Sequence, residues 1–209
     1  MSLFQLILLL LAIAIFTIFF KQLFSGNYPK RGEDFEAKSS DESLFKSNNQ
    51  NRENRSRKDE LMDVAIKALD SGDNIEAKKA LESLLIIDPN NLDAKRMLAI
   101  AYFNMNNYTK TKEICKEILE IDSSDDLTYS LLANAEHKLG EDENALTHHK
   151  KAIELDSTYA KHYFNYANTL YDLNRLDEAK ENYKIAYNLD NSLKEAKEML
   201  ERLNNARRD

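Results

Sequence analysis

Residue types recur in this chain at a step of 34. Asp88, Asp122, Asp156 and Asp190 keep that spacing, and so do Ala65, Ala99, Ala133 and Ala167. A third set, Gly72, Asn106, Gly140 and Asn174, uses only the two residue types that best tolerate left-handed backbone. A fixed period of this length restricts the fold to a stack of similar supersecondary units, none of which can bury its apolar face alone. Glycine (4) and proline (2) are too scarce in 209 residues for a sheet-rich chain, so each unit reads as a pair of helices.

Cutting at the period gives four units without insertions, 58–91, 92–125, 126–159 and 160–193. Each contains a helix A, a tight turn, a helix B and a second turn. The expected helices are 58–71 and 74–88, 92–105 and 108–122, 126–139 and 142–156, 160–173 and 176–190, followed by a last helix near 192–206. The Gly/Asn set sits where helix A must end in a left-handed residue. The aspartate set falls in the second turn, where its side chain is expected to cap the next helix. Pro89 stops the first helix B.

Close approach of A and B requires small residues at the crossing. Helix A supplies the alanine set, and helix B supplies Ala77, Thr111, Ala145 and Ala179. Larger residues flank them: Val64, Leu98, Leu132 and Tyr166 on A, and Leu81, Cys115, His149 and Tyr183 on B. Leu84, Ile118, Ala152 and Ala186 fill the seam to the next unit. In the final helix Leu193, Ala196, Leu200 and Leu203 form one apolar stripe among charged residues, the pattern of a terminal cap.

These residues closely resemble the tetratricopeptide repeat (TPR) family. Ala65, Gly72, Ala77, Leu81, Asp88 and Pro89 make the fullest match. The chain departs from the family where its leading aromatic, present as Tyr129 and Tyr163, is replaced by Leu61 and Lys95. It departs again where proline is replaced by Ser123, Ser157 and Asn191. The resemblance covers about 136 residues in register. It implies an all-α, right-handed α-solenoid of four TPR repeats plus a C-terminal capping helix. It also implies a concave groove lined by the A helices that holds a peptide or protein partner.

Carried over by position, the groove shows Met62, Ile66 and Leu69 from the first unit. The second offers Arg96, Met97, Ile100, Phe103 and Asn104, the third Ser130, Asn134 and His137, and the fourth Phe164, Asn165, Asn168 and Tyr171. Asn134, Asn165 and Asn168 are expected to pair with a peptide backbone through donor and acceptor together. Met62, Met97, Phe103 and Phe164 are expected to receive apolar side chains. Some family members clamp acidic chaperone C-termini with Lys, Arg and Asn. The matching first-unit positions here are Met62 and Ile66, which disfavours that partner.

Charge is distributed unevenly. Between Lys21 and Arg57 there are eight basic and six acidic residues, a net of +2, whereas residues 58–209 hold 21 basic and 30 acidic ones, a net of −9. An acidic repeat domain repels phosphate backbones, so no nucleic-acid partner is expected, and basic peptides would be steered toward it. The single cysteine, Cys115, permits no intrachain disulfide and is expected to pack as a small apolar residue.

Residues 2–20 carry no charged side chain. As a helix they span about 28 Å, close to the roughly 30 Å hydrocarbon core of a bilayer. The absence of a basic leading region and of a small-x-small cleavage site favours a transmembrane anchor over 1–24 rather than a cleaved signal peptide. Lys21, Lys30, Arg31 and Lys38 follow it, which places the C-terminal side in the cytoplasm by charge bias, with the periplasm as the alternative. Residues 25–57 contain six Ser and five Asn without helical or strand period, and are expected to form a flexible linker reaching roughly 30 Å.

No catalytic motif, phosphate loop, Cys-x-x-Cys pair or His-Glu-x-x-His string occurs. His137, His148, His149 and His162 include no pair spaced three or four apart, so neither metal nor cofactor is expected, although His137 and His149 can meet across a helix pair. The arrangement looks like bacterial membrane-anchored TPR proteins. The expected function is an inner-membrane, single-pass scaffold in envelope assembly or regulation, without enzymatic activity. The alternatives are a periplasmic assembly factor for secretion, outer-membrane or cytochrome biogenesis, and a self-associating module.

Overall fold

The computed structural model describes residues 35–205, with side chains from residue 53 onward. The described residues form helices α1 (Phe35–Asp70), α2 (Asn74–Ile87), α3 (Leu92–Asn104), α4 (Tyr108–Ile121), α5 (Asp126–Lys138), α6 (Asp142–Leu155), α7 (Ala160–Asp172), α8 (Leu176–Leu189) and α9 (Lys194–Asn205), and no strand. From α2 to α8 each helix begins and ends within one residue of its expected bounds. The chain divides into two compact units, 1–49 and 50–209, and the repeats lie in the second.

The turn from A to B follows the local rule. Gly72 and Gly140 have φ of 80° and 78°, and Asn106 and Asn174 have φ of 59° and 58°. Each therefore closes a helix in the left-handed conformation that a Cβ penalises. The second turn works differently from expectation. Asp88, Asp122, Asp156 and Asp190 end the B helices and cap no following helix. The Asp122 and Asp190 carboxylates accept from the backbone N–H and hydroxyl of Ser124 and Ser192, and Asp156 does the same with Thr158. A carboxylate so placed folds the turn on itself. These same contacts hold all three acids below the usual carboxylate range. Asp88 is instead paired with Lys58 at 3.0 Å. Capping passes to Asn91 and Asp125, whose side chains accept from the N–H groups of Ala94 and Thr128.

The crossings are packed as the small residues dictate. All four helix A alanines are fully buried, as are Ala77, Thr111, Ala145 and Ala179 opposite them. Thr111 substitutes for alanine because its hydroxyl bonds the Ala99 carbonyl across the pair at 3.2 Å. Leu81, Cys115, His149 and Tyr183 are fully buried too. On α9, Ala196, Leu200 and Leu203 join the cluster around Tyr166, Leu170 and Tyr183, so the last repeat is covered.

Three expectations are corrected or left aside. Val64 is 42% exposed, whereas its equivalents Leu98, Leu132 and Tyr166 are buried. The stretch expected to lack structure is helical from Phe35 onward. Between Phe35 and Asp70 there is no glycine or proline to interrupt a helix. No helix among the described residues is long and apolar enough to cross a membrane, and the expected anchor, residues 2–20, lies outside them.

Successive A helices touch: α3 meets α5, and α5 meets α7. No two B helices approach in this way among the described residues. The stack therefore curls toward its A helices, whose free face forms the inner side.

Candidate functional site

On that inner face α3, α5 and α7 enclose an open pocket of about 260 Å³. Ile100, Leu127 and Leu131 supply its apolar surface. Arg96, Ser130, Asn134, Lys161, His162 and Asn165 supply polar groups, and Tyr159 joins the lining. Five of the groove residues expected from sequence, Arg96, Ile100, Ser130, Asn134 and Asn165, thus converge on one site. Ile66 and Ile100 stand 43% and 37% exposed, apolar side chains still open to a partner.

The polar members differ in how far they are already committed. Arg96 donates from Nε and Nη2 to Asp125 at 3.1 and 2.5 Å, and from Nη1 to Asp93 at 2.8 Å. Burial disfavours its charge, yet the hydrogen bonds to the two carboxylates outweigh burial and raise its pKa. Its charge is largely spent within the fold. Asn165 donates its amide to the Ser130 hydroxyl at 3.1 Å, and no described protein donor meets its carbonyl oxygen. Asn134 lines the pocket between them.

Several of the other expected groove residues make contacts within the fold. Asn168 accepts a hydrogen bond from the Tyr183 hydroxyl at 2.6 Å, so its carbonyl oxygen orients a core tyrosine. Burial raises the Tyr183 phenol well above its ordinary range, so the hydroxyl remains a donor. Phe164 packs on the same tyrosine with centroids 5.7 Å apart, and Tyr171 joins that cluster. Phe103 meets Tyr108 edge-on at 5.2 Å, and Asn104 donates to Asn74 at 2.9 Å at the start of α2 in the neighbouring repeat. Met62 packs partly buried against the first core cluster. His137 lies between two carboxylates, Asp142 at 2.7 Å and Asp172 at 3.1 Å.

His149 does not pair with His137; its Nε2 lies 3.0 Å from the Thr169 hydroxyl in the interior. Burial pushes its pKa down to about 3, helped by His137, His162 and His148 around it. Cys115 is buried and its thiol is pushed up to about 12 by burial, with Asp125 and Glu136 adding to the shift. Among the described residues no group of three or more His, Cys, Asp or Glu is placed to hold a metal ion.

Sequence patterns for the tetratricopeptide repeat match residues 68–135 and 160–193, and a pattern described as TPR repeat matches 133–172. Together they run through the helix pairs just described. The chain belongs to the tetratricopeptide repeat family. No curated protein matches it in sequence.

Solved structures, TPR proteins among them, share the fold. A thermophilic TPR protein of Thermus thermophilus aligns with a TM-score of 0.66 at 20% identity, over 70% of this chain and 80% of its own. PilF of Pseudomonas aeruginosa aligns with a TM-score of 0.65 at 19% identity, over 74% and 71%. The first TPR of RPAP3, solved with an HSP90 peptide SRMEEVD, aligns with a TM-score of 0.52 at 20% identity, over 56% and 94%. At such identities the likeness is one of TPR fold.

Leu127, Leu131, Tyr159, Lys161 and His162 complete the pocket but were not singled out from sequence. Leu127 and Leu131 lie within one helical turn of Ser130 and Asn134, and Lys161 lies one turn before Asn165, so the i, i+3, i+4 rule on the TPR A helix carried the signal. Tyr159 belongs to the turn before α7 and left no such signal.

Proposed function

We propose that this protein is a membrane-anchored scaffold whose TPR domain holds an extended polypeptide segment of a partner along the inner face of its A helices. One observation carries the reading: α3, α5 and α7 frame an open pocket in which exposed apolar side chains stand beside the amides of Asn134 and Asn165. An extended chain needs such a mixture, because its own N–H and C=O groups must be satisfied while a side chain is buried. Structural neighbours include a TPR solved with a bound peptide, which supports the same use of the fold.

The anchor in this proposal is the uncharged run 2–20, with the segment that follows as a spacer and the domain positioned near the inner membrane for envelope assembly or regulation. The charge bias after residue 20 favours a cytoplasmic domain. A photo-crosslinking residue at Asn134 tests the groove in cells. Crosslinks from that position, absent from the outer position Lys184, support it, and equal yields from both reject it. Reporters fused after Asp209 test the orientation: active alkaline phosphatase there would place the domain in the periplasm and overturn the cytoplasmic assignment.

A further inference from the structure

The side chains that form the pocket return at fixed places in each repeat. Leu127 and Lys161 stand one step of 34 apart, and so do Leu131 and Asn165. Counted back along the same two rows, the first repeat presents Asp59 and Asp63, and the second presents Asp93 and Met97. Asp59 and Asp63 are exposed, and neither takes part in an ion pair among the described residues. The Asp93 side chain is 78% exposed and meets Arg96, whose other nitrogens are held by Asp125. Ile66 and Ile100, one step of 34 apart on the same helices, add exposed apolar surface beside these acids.

The face therefore changes character along its length. Lys67, one turn after Asp63, does not neutralise the acids from within the face. Its row is buried as Ala101, Ala135 and Thr169 in the later repeats, so it leaves α1 on another side. Three repeats on, the row of Asp59 ends in Lys161, exposed and with Asp190 near it. The first two repeats thus favour a cation and the fourth does not. What the fourth repeat offers instead is acceptors. His162, on the pocket wall, donates from Nε2 to Asp126 at 2.7 Å, and its Nδ1 is buried without a partner. The Asn165 carbonyl oxygen likewise meets no described protein donor. Acceptors left unmet call for N–H donors, and beside Lys161 a neutral peptide N–H is favoured over an ammonium.

We propose that the partner segment is basic at one end and uncharged at the other, and lies in the groove in one polarity. Its lysine or arginine side chains lie against Asp59, Asp63 and Asp93, an apolar side chain covers Ile66 and Ile100, and the uncharged stretch passes Asn134 and Asn165. The inference rests on reading this face as the site of an extended polypeptide. Adjacent helices pack about 8–10 Å apart and an extended chain advances about 3.3 Å per residue, so one repeat takes about three residues. The basic and uncharged portions are then centred about six residues apart. The long stems of lysine and arginine suit the acidic end, because they cover apolar surface while their charge stays in water. An acidic segment would meet like charge on α1 and α3.

The test selects binders from a library of random peptides about 12 residues long, using the full chain in a mild detergent. Lysine and arginine are expected to be enriched at one end of the binders and depleted about six residues away, the span set by the repeat step. Asp59→Asn with Asp63→Asn is expected to weaken a selected peptide about fivefold and to flatten its dependence on salt, the scale of two exposed ion pairs. Glu120→Gln with Glu143→Gln, exposed on the outer helices α4 and α6, is expected to leave it unchanged. Asp59→Lys with Asp63→Lys is expected to turn the selection toward acidic ends. Binders that are uncharged or acidic in the parent chain, or whose affinity ignores the changes at Asp59 and Asp63, overturn the inference. Where such binders still weaken with Asn134→Ala, the face holds a peptide without this polarity, and the groove reading stands. A library that yields no binder, or only binders indifferent to Asp63 and Asn134 alike, overturns the groove reading and the inference together.

Discussion

The Arg96 guanidinium and the Asp125 carboxylate join consecutive repeats through two contacts to a single oxygen, Oδ2, while the other oxygen of Asp125 caps α5 at the Thr128 N–H. One buried acid thus fixes both the start of a helix and its distance from the helix before it. Asp125 has almost no solvent contact, so its charge depends on Arg96 for compensation.

Removing one partner strands the other. Arg96→Ala is expected to destabilise the domain by about 3 kcal/mol in urea unfolding, the range for a buried acid left unpaired. Adding Asp125→Asn, which retains a capping oxygen without the charge, is expected to recover part of that loss. A double variant no more stable than Arg96→Ala alone would contradict the pairing.

Asn168 belongs to stability. Asn168→Ala takes away the acceptor of the Tyr183 hydroxyl, at an expected cost of about 1–3 kcal/mol. Tyr183→Phe in the same background removes the orphaned group and is expected to restore most of it. Crosslinking from Asn134 should be unaffected by either change under conditions where the domain is folded.

Asn134 and Asn165 line the pocket between α3, α5 and α7. Asn134→Ala with Asn165→Ala is expected to reduce capture of a crosslinked partner about tenfold or more, the scale of losing one or two hydrogen bonds. The cost in stability is expected to stay below about 1 kcal/mol, because Asn134 has no assigned protein partner and Asn165 has only Ser130. Undiminished crosslinking from Ile100 in this double variant would refute the amide grip.

His149 makes the fold sensitive to acid. Its pKa falls from 6.5 in a free side chain to about 3 in the fold. The unfolded chain therefore binds a proton below about pH 6.5 that the folded chain refuses, so stability is complete above that pH and declines as pH falls toward 3. The slope is at most roughly 1.4 kcal/mol per pH unit. His149→Leu with Thr169→Val, which places at this position the leucine that the first repeat uses at Leu81, is expected to flatten the decline between pH 6.5 and 5. An identical slope in parent and variant would assign the acid sensitivity to other groups.

The helix pairs were legible because their signals are local or repeated. The Gly/Asn set has to end helix A in every unit, and Ala65 and its equivalents must be small wherever two helices cross. The aspartate set was equally visible as a pattern and still misread, since an acid two residues before Ser124 or Thr158 folds its own turn before it can reach a later helix. Helix α1 upstream of the first repeat was missed for a related reason. A polar stretch without period carries no burial signal, yet it holds no glycine or proline to stop a helix.

By itself the amino-acid order determined the repeat unit, its turns and its small-against-large packing, because each is set by steric needs that return every 34 residues. Only the tertiary structure decided which polar side chains on that face remain available. Asn134, Asn165 and Asn168 look alike in sequence, but stacking brings Tyr183 to Asn168 and Ser130 to Asn165, just as it brings Asp125 to Arg96 and Asp172 to His137. Those partners come from other helices, most from a neighbouring repeat, and a hydrogen bond between them exists only once the helices have packed.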